Sequence, residues 1–344
     1  MKRASFLRFS APSIALMLLL LALPMAMTLW LSVRTCTPEL ELVTVEVTGP
    51  FAPQQVITQR QTLDAAGRPV ERCGFVGLEY YRKVLGLDRT AAREAADAAP
   101  AAKGTAAAAG DAEGTHNEFL SALGFTLFYT LTTTPFVLAG GLALALAMNG
   151  VSRRLRGAFI AASLLPFIIT PVVGALAIKW LFRDNGLVSS LLAEVGVQIF
   201  WMAQAWSARL LIVVYGIWHV LPFAFIVFYA GLQGVPQDSL EAATLDGASR
   251  WQKLRYVTLP HLAPLVVFVT LIHLMDAYRV FEPVLVLTKG AFTGSVQYLT
   301  YTLLLEENNP YKASAAAVLT LLGIAVLLVP LLRRTWREQR GGPG

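Results

Sequence analysis

Four ionisable side chains, His273, Asp276, Arg279 and Glu282, stand three residues apart in an otherwise apolar stretch. On a helix that spacing lets Asp276, Arg279 and Glu282 pair along one face. Charged groups at bilayer depth are costly and are expected to face protein or water. Two readings follow: a self-neutralising polar seam packed against protein, or groups that touch a solute, with Tyr278 and Tyr215 as the kind of aromatic platform on which sugars stack. His219 beside Trp218 reads as a packed interfacial histidine, and the histidines show no metal-ligand spacing. No Ser-His-Asp or paired-carboxylate arrangement stands out, and no Gly-x-x-x-x-Gly-Lys-Ser/Thr loop is present to cradle a nucleotide. The chain is therefore expected to bind no metal, cofactor or ATP of its own.

The elements that carry these groups follow from composition. Of 344 residues, 56% are hydrophobic and 15% charged, a balance that water-soluble domains rarely show. A hydrocarbon core needs about 20 mostly apolar residues per helix. Six stretches qualify: 12–33, 119–148, 158–182, 210–232, 262–287 and 313–332. A seventh, 187–206, carries Glu194, Gln198 and Gln204 and reads as an interfacial or re-entrant helix. Pro166 and Pro171 are expected to kink the third span. The first span opens with Lys2, Arg3 and Arg8 but is longer than a signal-peptide core, so it is expected to stay uncleaved.

Orientation follows from the basic residues of the short connections. The N-terminus, Arg153, Arg154 and Arg156, the loop with Arg250, Lys253 and Arg255, and the tail with Arg333, Arg334, Arg337 and Arg340 fall on one side, which is assigned to the cytoplasm. Both termini are then cytoplasmic, and the net charge of +6 reports membrane topology rather than nucleic-acid binding.

The chain thus divides into residues 1–33 (cytoplasmic start and first span), an extramembrane insertion 34–118, a membrane core 119–333 and a cytoplasmic tail 334–344. Within the insertion, 39–48 alternates as a half-buried strand, 54–63 offers a second, and 64–67 reads as the turn after it, giving a small β-rich lobe. The Ala-rich stretch 91–114 has no large apolar residue and is expected to be a flexible segment. Cys36 and Cys73 flank the strands on the oxidising side, and a disulfide between them is expected. Closing such a loop stabilises by about 3 to 4 kcal/mol in the chain-entropy model.

The longest cytoplasmic loop, 234–261, describes two short helices with a sharp joint. Pro236 suits a first helical position, and Asp238, Ser239 and Glu241 favour a helix N-terminus. Gly247 can supply the left-handed residue that stops the first helix. Trp251, Leu254 and Val257 recur at helical spacing in the second, and Pro260 separates it from the fifth span. Small side chains at Ala242 and Ala243 allow close approach to another surface, so the loop either docks into a partner's groove or packs on its own protein.

Glu241-Ala242-Ala243-x-x-x-Gly247, with Asp246 and Ala248 flanking the glycine and Leu259-Pro260 following, resembles the EAA signature of binding-protein-dependent ABC importer permeases. The resemblance extends through Trp218, Pro222, the stretch 230–236, Phe281-Glu282 and the stretch 286–290, and upstream through Pro166, 180–182, Gly186 and 75–82. It is strongest to the maltose and glycerol-3-phosphate type, in particular the MalF-like member of the usual permease pair. Lys289-Gly290-Ala291 departs from the Gly-Gly-Pro common there. The resemblance implies an all-α polytopic type I importer fold with six transmembrane helices. It implies a second, similar permease subunit, two cytoplasmic ATPase subunits that hold ATP and Mg, and a periplasmic solute-binding protein. It also implies that 241–247 is a coupling helix, and that the solute is a sugar or related carbohydrate crossing a bacterial inner membrane by alternating access. A stand-alone channel or secondary transporter is the alternative; it tolerates the spans but leaves the coupling-like loop unexplained.

Overall fold

The computed structural model describes residues 3–38, 40–48, 53–62, 70–87 and 118–340. The chain divides into two compact units, Met1–Thr115 with Leu303–Leu319, and His116–Thr302 with Thr320–Gly344. The turn expected at 64–67 and the Ala-rich stretch 91–114 lie outside the described residues.

The first unit begins with α1 (Arg3–Ser32), which is apolar all round and leaves Leu16, Met17, Leu20, Leu23, Met27 and Leu29 exposed along it. That pattern suits a helix whose solvent is hydrocarbon. The chain then enters β1 (Arg34–Pro38). β2 (Leu40–Thr48) pairs antiparallel with β3 (Pro53–Gln61), and β1 pairs antiparallel with β4 (Glu71–Phe75). Cys36 stands directly opposite Cys73 in the β1–β4 ladder, and the two are joined by a disulfide. A short helix, α2 (Glu79–Val84), ties this clasp to the end of α1. Tyr80 Oη donates to Thr35 Oγ1 at 2.8 Å, and Tyr81 Oη donates to Ser32 Oγ at 2.7 Å. The Tyr80 ring also stacks on Tyr311, with centroids 6.0 Å apart.

In the remainder of the chain α3 (Glu118–Ala147) leads through a short 3-10 turn to α4 (Arg153–Ile168), α5 (Pro171–Phe182) and α6 (Leu187–Glu194). α7 (Ala205–Gln233), α8 (Gln237–Leu245), α9 (Arg250–Lys253) and α10 (Leu259–Tyr278) follow. The chain closes with α11 (Val296–Leu305) and α12 (Pro310–Arg340). Among the described residues five helices are long and apolar enough to cross a membrane, six if the bent pair 153–168 and 171–194 counts as one span.

The second unit is organised on α3 and α7, which meet over small residues. A Cβ placed on Gly141 would lie 2.6 Å from that of Ala224, and one on Gly216 would collide with the Tyr129 ring. Close backbone approach of this kind drives helix association where lipid offers no hydrophobic gain. Val137, Phe225, Phe228 and Val269 fill one end of the contact, and Tyr129, Ile212, Tyr215 and Ala277 the other.

Three expectations from the sequence are corrected. The third span is not a kinked rod over 158–182: α4 and the following helices meet at 94°. The break falls at Ile169 and Thr170, both extended, because Pro171 disfavours helical backbone in the residue before it; Pro166 stays inside α4. The fifth span does not run over 262–287 but stops at Tyr278; Arg279, Val280, Phe281 and Glu282 follow before Pro283 and a π-turn at Val284–Thr288. A proline clashes with the carbonyl four residues earlier, and here that residue is Arg279, where the helix ends. Pro260 does not separate α9 from α10. A π-turn at Leu254–Thr258, closed by the Leu259 N–H bonding back to the Leu254 carbonyl, leads straight into Pro260, and the helical path runs on from Arg250 to Tyr278.

Gly216→Ala is expected to lower the thermal unfolding midpoint in detergent, by overpacking worth about 1 to 3 kcal/mol. Gly124→Ala, whose Cβ enters open space on α3, is expected to leave the midpoint unchanged or raised.

Candidate functional site

The loop 234–261 folds into a rigid joint. α8 ends at Leu245, Gly247 takes φ +77°, its N–H bonds the Thr244 carbonyl at 3.0 Å, and the Ala248 N–H bonds the Ala243 carbonyl at 2.9 Å. This is the paired-bond helix stop that a left-handed glycine makes, so the expected role of Gly247 is realised. Pro236 sits one residue earlier than anticipated, as the N-cap of α8 rather than its first helical residue.

α9 starts with a capping box, not among the expectations drawn from the sequence. The Gln252 N–H donates to Ser249 Oγ at 3.3 Å, and the Gln252 side chain accepts from the Ser249 N–H at 2.7 Å. The Ser-x-x-Gln spacing carries that signal. A further link has none in sequence: Lys253 Nζ donates to Thr244 Oγ1 at 2.8 Å, while Thr244 Oγ1 donates to the Leu240 carbonyl at 2.6 Å. It holds α9 against the last turn of α8.

What the joint presents is exposed. Glu241, Ala242, Asp246 and Gly247 are exposed, Ala243 and Leu259 half-buried, and Pro260 exposed. Glu241 makes no ion pair among the described residues. Leu245 is 89% exposed, and Trp251, one of the residues at helical spacing, and Tyr256 are exposed as well. At the base Val235, Thr258 and Leu262 are buried, and Gly231 leaves room for the Leu262 and Leu265 side chains. An apolar, uncovered tip on a packed base is the anatomy of a docking element.

The second constellation is split by the fold. Because α10 ends at Tyr278, Asp276 and Arg279 do not continue onto a helix with Glu282, and no ion pair forms among the three. Asp276 and Arg279 are exposed and Glu282 is half-buried. His273 is buried, with Nε2 3.1 Å from Thr133 Oγ1. Tyr215 and Tyr278 are 2% and 1% exposed, so neither offers a ring face as a platform. Tyr215 Oη donates to the Pro171 carbonyl at 2.7 Å, and its ring stacks on His219 at 5.7 Å. The Tyr278 hydroxyl fills the space beside Gly323. Both tyrosines are packing residues.

Comparison with known proteins bears on the same segments. A family model described as a binding-protein-dependent transport system inner membrane component matches residues 106–340. The arabinooligosaccharides transport system permease protein AraP of Halalkalibacterium halodurans is 30% identical over 231 residues, 65% of this chain and 73% of that protein. The trehalose transport system permease protein SugA of Mycobacterium tuberculosis is 34% identical over 228 residues, 64% of this chain and 72% of that protein. Among solved structures, a chain of a bacterial ABC transporter involved in the import of the acidic polysaccharide alginate is similar with a TM-score of 0.60 and 25% identity, covering 64% of this chain and 80% of that one.

Tyr215→Phe removes the bond to Pro171 without opening a cavity, at a cost of about 1 kcal/mol. Its unfolding midpoint is expected to fall while the apparent KM for transported solute stays within twofold of wild type, a result a solute-stacking tyrosine would not give.

Proposed function

This chain belongs to the binding-protein-dependent transport system inner membrane components, and from that premise we propose that it carries a sugar or related carbohydrate across the membrane, driven by partner ATPase subunits. The named relatives handle arabinooligosaccharides and trehalose, which supports a saccharide as the cargo class. The observation that carries the coupling is the exposed, hydrogen-bonded joint of α8 and α9 on a buried base. A flexible loop would absorb a partner's movement. A joint locked at Gly247, Ser249 and Thr244 passes it to α7 and α10 as a rigid lever.

In the proposed assembly the joint faces the cytoplasm with the basic side of the chain, both termini on that side. Glu241, Ala242, Ala243, Asp246 and Gly247 form the tip that enters an ATPase groove, while Leu259 and Pro260 join it to α10. A second, similar permease and a periplasmic binding protein complete the importer. ATP and Mg reside on the ATPase subunits. Asp276, Arg279 and Glu282 flank the end of α10 and are the candidates for solute contact, Asp276 and Arg279 being exposed on this chain.

Gly247→Val forces a β-branched residue into left-handed backbone, costing about 1 to 2 kcal/mol. The variant is expected to insert normally, yet lose uptake and solute-stimulated ATPase activity together by at least about tenfold, as the strain opens the joint. Wild-type uptake with wild-type stimulation would rule out the lever. Asp276→Asn is expected to raise the KM for uptake with basal ATPase activity unchanged; an unaltered KM and rate would remove Asp276 from the solute path.

A further inference from the structure

A pocket of about 590 Å³ opens between the last turn of α5 and the segment 200–203 that precedes α7. Leu176, Trp180 and Phe200 form apolar walls, and Lys179, Arg183 and Asp184 are the charged residues on it. We propose that this pocket binds an anionic phospholipid, its phosphate at Arg183 and Lys179 and its acyl chain along Leu176 and Trp180.

Charge comes first. The Arg183 guanidinium lies 5.6 Å from the centre of the Trp180 ring and makes no hydrogen bond or ion pair among the described residues. Asp184, next in sequence, does not pair with it. Lys179 Nζ spends one donor on the Val286 carbonyl at 2.7 Å and keeps the others. A guanidinium braced on an indole with its donor fork unengaged is suited to a phosphate, which it can meet with two parallel bonds. One carboxylate against two cations leaves the pocket with an excess positive charge.

Location decides which phosphate. The next helix, α6, exposes Leu187 and Leu191 one turn apart, with Val195 one turn beyond. Such an uncovered apolar stripe on a short helix is stable where it lies in the boundary between headgroups and acyl chains. Trp180 is exposed beside it, and tryptophan collects at that same boundary in membrane proteins. A soluble phosphate ester would satisfy Arg183 and leave Leu176, Trp180 and Phe200 uncovered. A phospholipid satisfies both halves of the pocket.

The full chain in phosphatidylcholine nanodiscs, doped with either phosphatidylglycerol or phosphatidylcholine brominated on the acyl chains, tests this. Trp180 fluorescence is taken as the difference between wild type and Trp180→Phe. The brominated anionic lipid is expected to associate about fivefold more strongly than the zwitterionic one, the contribution of one basic group near a membrane surface. That preference is expected to vanish in Arg183→Gln, whose exposed and unbonded site gives no reason for misfolding. The Trp206 signal, from Trp206→Phe, is expected to show no such preference. Equal quenching by both lipids, a preference that survives Arg183→Gln, or one matched at Trp206 would overturn the site. Displacement of the brominated lipid by millimolar glycerol phosphate would overturn the lipid in favour of a soluble ester.

Discussion

Every break in a membrane helix frees backbone groups that hydrocarbon cannot satisfy, and the second unit is organised around meeting that demand from elsewhere in the chain. The Val280 carbonyl, past the end of α10, accepts from Ser295 Oγ at 2.6 Å, and the same hydroxyl caps α11 by accepting from the Tyr298 N–H at 3.1 Å. The Val296 N–H at the start of α11 is taken by Thr126 Oγ1 of α3 at 3.1 Å. Lys179 covers the Val286 carbonyl of the π-turn, and Tyr215 meets the Pro171 carbonyl where the third span bends. Thr126, Lys179 and Tyr215 come from helices distant in sequence, so the breaks hold the bundle together instead of loosening it.

The two π-turns at the ends of α10 belong to the same pattern. At Leu254–Thr258 the extra residue lets the helix pass Pro260 without a stop, so α9, on one side of the joint, and the span above form one continuous path. At Val284–Thr288 the turn follows a break that Pro283 imposes. A lever hinged at Gly247 would therefore reach the charged end of α10 from Arg250 onward through helical backbone, which is stiffer than a loop. The proposed coupling depends on that stiffness more than on any single contact at the tip.

Polar groups buried between helices are paired where they can be and packed tightly where they cannot. Thr133 Oγ1 and His273 Nε2 meet across α3 and α10, while His273 Nδ1 and the Tyr278 hydroxyl, the latter against Gly323, have no partner among the described residues. Tyrosines that read as sugar platforms in a linear sequence turn out to be core residues, since a ring at the right depth serves equally for packing. Asp276 and Arg279 near them remain exposed on the surface of the chain, and Glu282 is half-buried.

The spans, the two-helix loop with its glycine stop, and the family were legible from the sequence, because each rests on local properties: apolar length, the left-handed preference of glycine, and a signature of fixed spacing. The Ser249–Gln252 capping box was equally local and was there to be read. Contacts between distant residues were not. The Thr244–Lys253 link, the burial of Tyr215 and Tyr278, the 94° bend at Thr170 and the end of α10 at Tyr278 depend on which partner takes each freed carbonyl or fills each gap. Proline positions announce that a helix will be disturbed; whether it kinks, breaks or passes through a π-turn is decided by the side chains that tertiary structure brings to the break.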